Sequence, residues 1–208
     1  MVIAIDGPAA SGKGTLAKRL AAHYGLPHLD TGLLYRAVAL TMLDAGFPLD
    51  DEAAAARAAE ALIADCLADP RLRERAMGEA ASRISAVPAV RAALLAWQQR
   101  FAGNSQGAVL DGRDIGTVVC PEARVKLFIT AAPEERARRR HRELAERGET
   151  TTFDAILADI KARDARDASR ATAPLKAAAD AVMLDTTELD ADEAFAAART
   201  VVERARPH

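Results

Sequence analysis

Near the start of the chain, Gly7-Pro8-Ala9-Ala10-Ser11-Gly12-Lys13-Gly14-Thr15 has the residue types and the spacing needed to hold phosphate. The glycines let a loop turn tightly, so that its backbone N–H groups converge on an anion at the start of the helix that follows. Lys13 adds a point charge for the β and γ phosphates of ATP, and it is the expected catalytic residue of the loop. The hydroxyl residue usually comes directly after that lysine. Here Gly14 holds its place and Thr15 comes one residue later. Gly14 allows close approach of the backbone to phosphate, while Thr15 still offers a hydroxyl to a phosphate or to Mg²⁺, directly or through water.

Phosphoryl transfer depends mainly on positioning and charge neutralisation, so if this loop serves a kinase it needs an acceptor site with cations of its own. The stretch "DTGLLYR" sets Thr31, Tyr35 and Arg36 at a strand-to-helix junction, with Thr31 and Tyr35 sharing a helix face. Their plain alternative is a cap, a half-buried ring and a surface charge. In "DGRDIG", Arg113 and Asp114 follow an apolar run, polar chemistry at the end of a buried strand where ligands of α/β sheets gather. Internal ion pairs in a polar turn are the alternative there. Arg163, Asp167 and Arg170 form an Arg-Asp-Arg stripe on one helix face, which can equally be a solvated i,i+4 pair. Arg136, Arg138, Arg139, Arg140 and Arg142 crowd into a turn and a half of one helix. His23, His28, His141 and His208 make neither a ligand pair nor a base–nucleophile pair.

The totals restrict what these residues serve. A chain of 208 residues fits one domain with an insertion. A net charge of −2 gives no general attraction to nucleic acid or to anionic membranes, and the arginine run lacks interleaved aromatics. Charged residues interrupt every apolar stretch before it reaches a membrane-spanning length. Two cysteines, Cys66 and Cys120, suggest neither a metal set nor a disulfide framework, and the expected setting is the reducing cytoplasm.

Apolar periodicity supplies the elements that must position the chemistry. Strands are expected at residues 2–5, in "PHLDTG", at "AVL" before "DGRD", at "VKLFIT" and at "AVMLD". Helices are expected from Lys13 to Gly25, through Leu34, Val38 and Met42, and from Pro88 through Val90, Leu94, Trp97 and Phe101. Further helices follow Pro133, run through Phe153, Ile156 and Ile160, and close the chain over 192–206. Residues 50–85 read as short helices broken at Asp69-Pro70. Alternating strands and helices imply an α/β fold with a five-stranded parallel sheet flanked by helices. The segment of about 46–101 is inserted between the second and third strands.

The displaced threonine of "GKGT" resembles the loop of nucleoside monophosphate kinases. Together, "GPAASGKGT", "LDTGLLYR", "AVRAALLAWQQRF", "LDGRDIGTVVCPEARVKLFITA", "RARRRHREL" and "RDARDASRATAPL" resemble the bacterial cytidylate kinases over most of the chain. The resemblance implies a phosphate-loop kinase core over about 1–45 and 102–208, a monophosphate-binding insertion over about 46–101, and a short lid over about 138–165. It implies ATP-dependent phosphorylation of CMP or dCMP with Mg²⁺, in pyrimidine nucleotide metabolism, by a monomer. Arg36 and Arg113 match the family's acceptor-phosphate arginines. Ser82, Arg91, Asp114 and Arg170 match residues around cytosine, and Arg163 and Asp167 match residues near the ribose. Asp114 would accept from cytosine's amine and repel the carbonyl of uracil. In such a kinase, lid arginines stabilise the phosphoryl group in flight, and Arg139 and Arg140 are the candidates. The segment before Ser82 has little strand character, so a shortened and more helical insertion is expected than in longer members. Competing readings are a kinase for UMP or shikimate, and a nucleotide-dependent switch. Asp114, Ser82 and Arg91 oppose the first. The second lacks an N-K-x-D motif, since Asn104 is followed by Ser105.

Overall fold

The computed structural model describes residues 1–205. The last expected helical residue, 206, and His208 lie outside them. Five strands form one sheet in the order β2-β3-β1-β4-β5. They are β1 (Val2–Asp6), β2 (His28–Asp30), β3 (Ala108–Gly112), β4 (Val125–Thr130) and β5 (Val182–Asp185). β1 pairs in parallel with β3 and β4, and β4 with β5. Asp6 stands opposite both Gly112 and Phe128, so β1 and β3 end level while β4 runs two residues further, to Thr130. The order reverses at β1, which is where such sheets open a crevice at their carboxyl ends.

α1 (Lys13–Tyr24) and α8 (Ala191–Ala205) cover one face of the sheet. Leu16, Leu20, Ala198 and Val202 pack there against Ile3, Ile5, Val109, Val125, Leu127 and Ile129. These strands carry apolar runs because both of their faces are covered. β5 is different. It is an edge strand whose Val182 and Met183 are 44% and 55% exposed, although its sequence reads as apolar as its neighbours.

The chain divides into two compact units, one of Met1–Leu29 with the residues from Ala102 on, the other Asp30–Phe101. The second unit starts with α2 (Thr31–Asp44). It continues through α3 (Glu52–Glu60), two short 3₁₀ turns, α4 (Arg75–Ile84) and α5 (Pro88–Ala102), with no strand over 46–101. α5 buries Val90 and Leu94 as expected, but the position buried one turn further on is Gln98, whose amide donates to Leu94 O. Trp97 and Phe101 are only half-buried and stack on each other, with rings 6.2 Å apart.

Candidate active site

The phosphate loop connects β1 to α1. Gly7 is dictated by space, since a Cβ there would sit 2.1 Å from the carbonyl oxygen of Ile129 in β4. Gly12 (φ 85°) and Ala10 (φ 58°) both take left-handed backbone, a conformation that costs a non-glycine residue such as Ala10 on the order of 1 kcal/mol or more. No side chain caps the N-terminus of α1, and its first turn holds no acidic residue. The positive end of the helix dipole therefore meets no carboxylate of its own first turn and favours an anion there. Lys13 Nζ donates to Pro8 O at 3.2 Å, so the lysine lies along its own loop. Ser11 is fully buried, and its Oγ is without a hydrogen-bond partner among the described residues. A Cβ on Gly14 would meet only Asp111 Oδ2, at an ordinary 3.7 Å. Protein packing thus tolerates a side chain there and does not itself call for the glycine.

Beside the loop, the ends of β1 and β3 bring three carboxylates together. Asp6 is buried, and its two oxygens accept from Ile115 N and Gly116 N, each at 2.8 Å. Burial pushes its pKa up to about 6 against these two bonds, with Asp114 adding to the rise and Lys13 opposing it. The amides that Asp6 holds begin a single π-helical turn, Ile115–Val119, with Asp114 at its head. Asp114 O accepts from Val118 N and Val119 N. The backbone around Asp114 is thereby fixed on both sides, and the residue is 5% exposed. Asp111 is buried too, with Oδ1 2.7 Å from Nε2 of His28 on β2.

Arg113, between these aspartates, reaches α7 (Phe153–Ser169). Its Nε donates to Asp167 Oδ2 at 2.5 Å, and Arg163 Nε lies 3.8 Å from the same oxygen. Burial alone pushes the Asp167 carboxyl upward, but Arg113, Arg163 and Arg170 outweigh it and hold it below the usual carboxylate range. α7 ends at Ser169, so Arg170 takes the non-helical capping position instead of extending the expected helix face. Its guanidinium donates to Ala173 O at 3.0 Å. The chain then turns back, and Leu175 N donates to Asp167 O.

α6 (Pro133–Glu146) sorts its arginines by depth. Arg138 pairs with Glu135 at the surface, and Arg140 with Glu143. Arg139 bonds Glu135, the hydroxyl of Thr186 and Thr186 O, and one of its terminal nitrogens lies 3.7 Å from where a Gly12 Cβ would be. The Thr186 hydroxyl lies 3.1 Å from Ser11 O, so this arginine and the loop share a support. Arg136 is buried.

In the Asp30–Phe101 unit, Asp30 is the residue that caps α2, accepting from Gly32 N at 2.9 Å, and Thr31 is its first helical residue. Tyr35 is buried with the Arg91 guanidinium 5.6 Å from its ring centre. Arg91 donates to Ser85 O, and Ser85 Oγ donates to Ser82 O, which ties Ser82, Arg91 and Tyr35 into one buried group. Arg36 donates to Leu72 O at 2.7 Å.

The family model for cytidylate kinase matches residues 3–204. The chain belongs to the cytidylate kinase family. A cytidylate kinase of Methylobacterium sp. (strain 4-46) is 73% identical over 207 residues, covering 100% of this chain and 99% of that protein. One of Methylocella silvestris is 61% identical over 205 residues, covering 99% and 95%. A crystal structure of an uncharacterized protein from Eubacterium ventriosum aligns over 99% of this chain and 97% of that one, with a TM-score of 0.55 at 13% identity. That likeness concerns the fold alone.

For a cytidylate kinase sequence, the residues expected to act fall into groups inside each unit. The loop from Gly7 to Thr15 stands with Arg113, Asp114, Arg163, Asp167, Arg170 and Arg139 in one, and Tyr35, Ser82 and Arg91 in the other. Four residues with evident parts in the architecture were missed by sequence reasoning: Asp6, His28, Arg136 and Thr186. A lone Asp closing an apolar strand directly before a glycine loop was the available signal for Asp6. Arg136 was visible only as one member of a charge run.

Proposed function

We propose that the protein transfers the γ-phosphoryl group of ATP to CMP or dCMP, giving CDP or dCDP and ADP. The observation that carries this reading is the set of arginines gathered about Asp167 at the end of β3, beside the strand that feeds the phosphate loop, in a chain of the cytidylate kinase family. Fixed cations held by a buried carboxylate cost no reorganisation when the phosphate of an acceptor arrives.

The loop from Gly7 to Thr15 holds the phosphates of ATP on backbone N–H groups, and Lys13 leaves Pro8 O to neutralise their charge. Arg36 and Arg113 take the acceptor phosphate. Asp114 accepts from the cytosine amine, with Ser82, Arg91 and Arg170 around the base, Arg163 and Asp167 toward the ribose, and Thr31 and Tyr35 lining the acceptor side. Arg139 faces the group in flight from beside Gly12, and Arg140 supports it. The attacking oxygen belongs to a phosphate already ionised near neutral pH, so no general base is required.

The donor set at the start of α1 suits Mg²⁺, which takes few protein ligands and prefers oxygen. Thr15 is exposed in the first turn of the helix, and Asp111 offers a carboxylate oxygen beside Gly14. These two residues would hold the ion through its water shell. Bound with ATP, Mg²⁺ supplies charge neutralisation across the phosphates. Among the described residues no helix is long and apolar enough to cross a membrane.

The test is ADP release with CMP, dCMP, UMP, AMP and GMP as acceptors at fixed Mg-ATP. CMP and dCMP should exceed the others in kcat/KM by at least about tenfold. A higher value for UMP or a purine nucleotide would overturn the reading.

A further inference from the structure

Arg136 enters the sequence as one arginine of a charged run, yet the fold buries it to 3% exposure. Its guanidinium serves three partners at once. Nε donates to Ala131 O at 2.9 Å, where β4 leads into α6. One terminal nitrogen donates to Ala9 O at 3.2 Å and to Asp164 Oδ1 at 3.0 Å, and the other donates to Asp164 Oδ2 at 2.5 Å. Ala9 belongs to the phosphate loop. Asp164 belongs to α7, next to Arg163 and one turn before Asp167.

A second contact runs along the same line. The side chains of Ala137, Leu144, Ile156 and Ile160 form an apolar cluster joining α6 to α7, and Ala10 of the loop packs against it. Ala10 is also the non-glycine loop residue in left-handed backbone, so its conformation is maintained by its surroundings and not by local preference. A planar guanidinium offers donors in a fixed fork. It cannot keep a bidentate grip on Asp164 and a bond to Ala9 unless loop and helix hold one relative position.

Resting on the donor and acceptor assignments above, we infer that the Arg136–Asp164 pair is a positioning device that couples the ATP loop to the acceptor residues of α7, so that each nucleotide raises the affinity for the other. Phosphate on the loop's N–H groups orders Ala9 and Ala10. Arg136 transmits that order to Asp164, and with it to Arg163 and Asp167. The second ligand then finds part of the ordering cost already met, which is positive coupling and is reciprocal by linkage.

The experiment is calorimetric titration of CMP into the protein, with and without a non-hydrolysable ATP analogue and Mg²⁺. It is run on the wild type, Asp164→Asn and Arg136→Lys. Asp164→Asn keeps the size of a partly exposed side chain, and Arg136→Lys keeps a buried charge while removing the fork. In the wild type the analogue should tighten CMP by about fivefold or more. In both variants that factor should fall toward one, with the affinity for CMP alone little changed, while loss of the buried pair lowers the melting temperature as well. A purely structural role would lower the melting temperature and leave the factor intact. An unchanged factor in Asp164→Asn, or no coupling in the wild type, overturns the inference. Failure of CMP to bind the wild type at all would overturn the acceptor reading itself, and the coupling with it.

Discussion

Replacing Asp167 with asparagine removes one charge from the centre of an arginine cluster and changes little in shape. Asp167 is 1% exposed, its Oδ2 accepts from Arg113 Nε at 2.5 Å, and Arg163 Nε lies at 3.8 Å. Charges whose centres are roughly 4 Å apart attract by about 4 kcal/mol at an effective dielectric near 20. An asparagine oxygen can still accept from Arg113, but nothing then offsets the repulsion between the guanidinium groups. The expected loss of folding stability is about 3 kcal/mol at pH 7, at the lower end of what breaking a buried pair costs. The sign of the pH dependence follows from a carboxyl whose folded pKa is held below 3.8. The wild-type contribution is present above the unfolded value and is lost as pH falls through the lower folded one. Urea denaturation of both proteins, at pH 7 and in steps down to pH 3, should show a gap of about 3 kcal/mol that narrows only below about pH 4. A variant as stable as the wild type at pH 7, or a gap unchanged into acid, would refute the reasoning. In the same variant kcat/KM for CMP should drop while ATP affinity is kept, because Arg113 loses its anchor and the loop does not.

Three further outcomes are expected. Lys13→Ala should lower kcat by about 10²-fold or more without unfolding the protein, since the side chain lies along its own loop with Nζ donating to Pro8 O at 3.2 Å; turnover near wild type would remove the phosphate-loop assignment. Asp114→Asn should narrow the CMP-over-UMP ratio of kcat/KM by about 1–3 kcal/mol, because an amide can donate to uracil's carbonyl; a uniform loss with the ratio unchanged would show that Asp114 does not read the base. Asp6, with its pKa raised to about 6 from 3.8, binds its proton more tightly in the folded protein, so wild-type stability should fall by roughly 3 kcal/mol as pH rises through that window. Asp6→Asn should lack this fall, and parallel stability profiles for the two proteins over pH 4–7 would contradict the assigned burial.

The local elements were legible because local rules decide them. Apolar runs bounded by glycine and proline marked the strands, and Gly25 in left-handed backbone ends α1 where the periodicity stops. The phosphate loop was legible for the same reason: its function lies in backbone N–H groups and one lysine, all contiguous in sequence. The junction at Thr31 was readable only to the extent that Asp30 or Thr31 could cap α2, and the geometry chose Asp30.

Contacts between distant segments were not legible, because charge and burial at one position depend on what the fold brings opposite. The run Arg136 to Arg142 is uniform as sequence, yet in α6 one arginine is buried on Ala9, Ala131 and Asp164, one braces Thr186, and others pair with glutamates at the surface. Helical rotation, not residue type, assigns those fates. The stripe of Arg163, Asp167 and Arg170 could be written down from spacing, but only Arg113, arriving from β3, turns a solvated ladder into a buried cluster. Asp6 and His28 gain partners 83 or more residues away, in the turn that follows β3 and in β3 itself. Sequence alone therefore determined the phosphate loop, the α/β alternation and the list of charges available to a nucleotide. Which of those charges are buried, and which carboxylate holds which arginine, was decided by strand order, since that order sets the neighbours that desolvate one group and leave another in water.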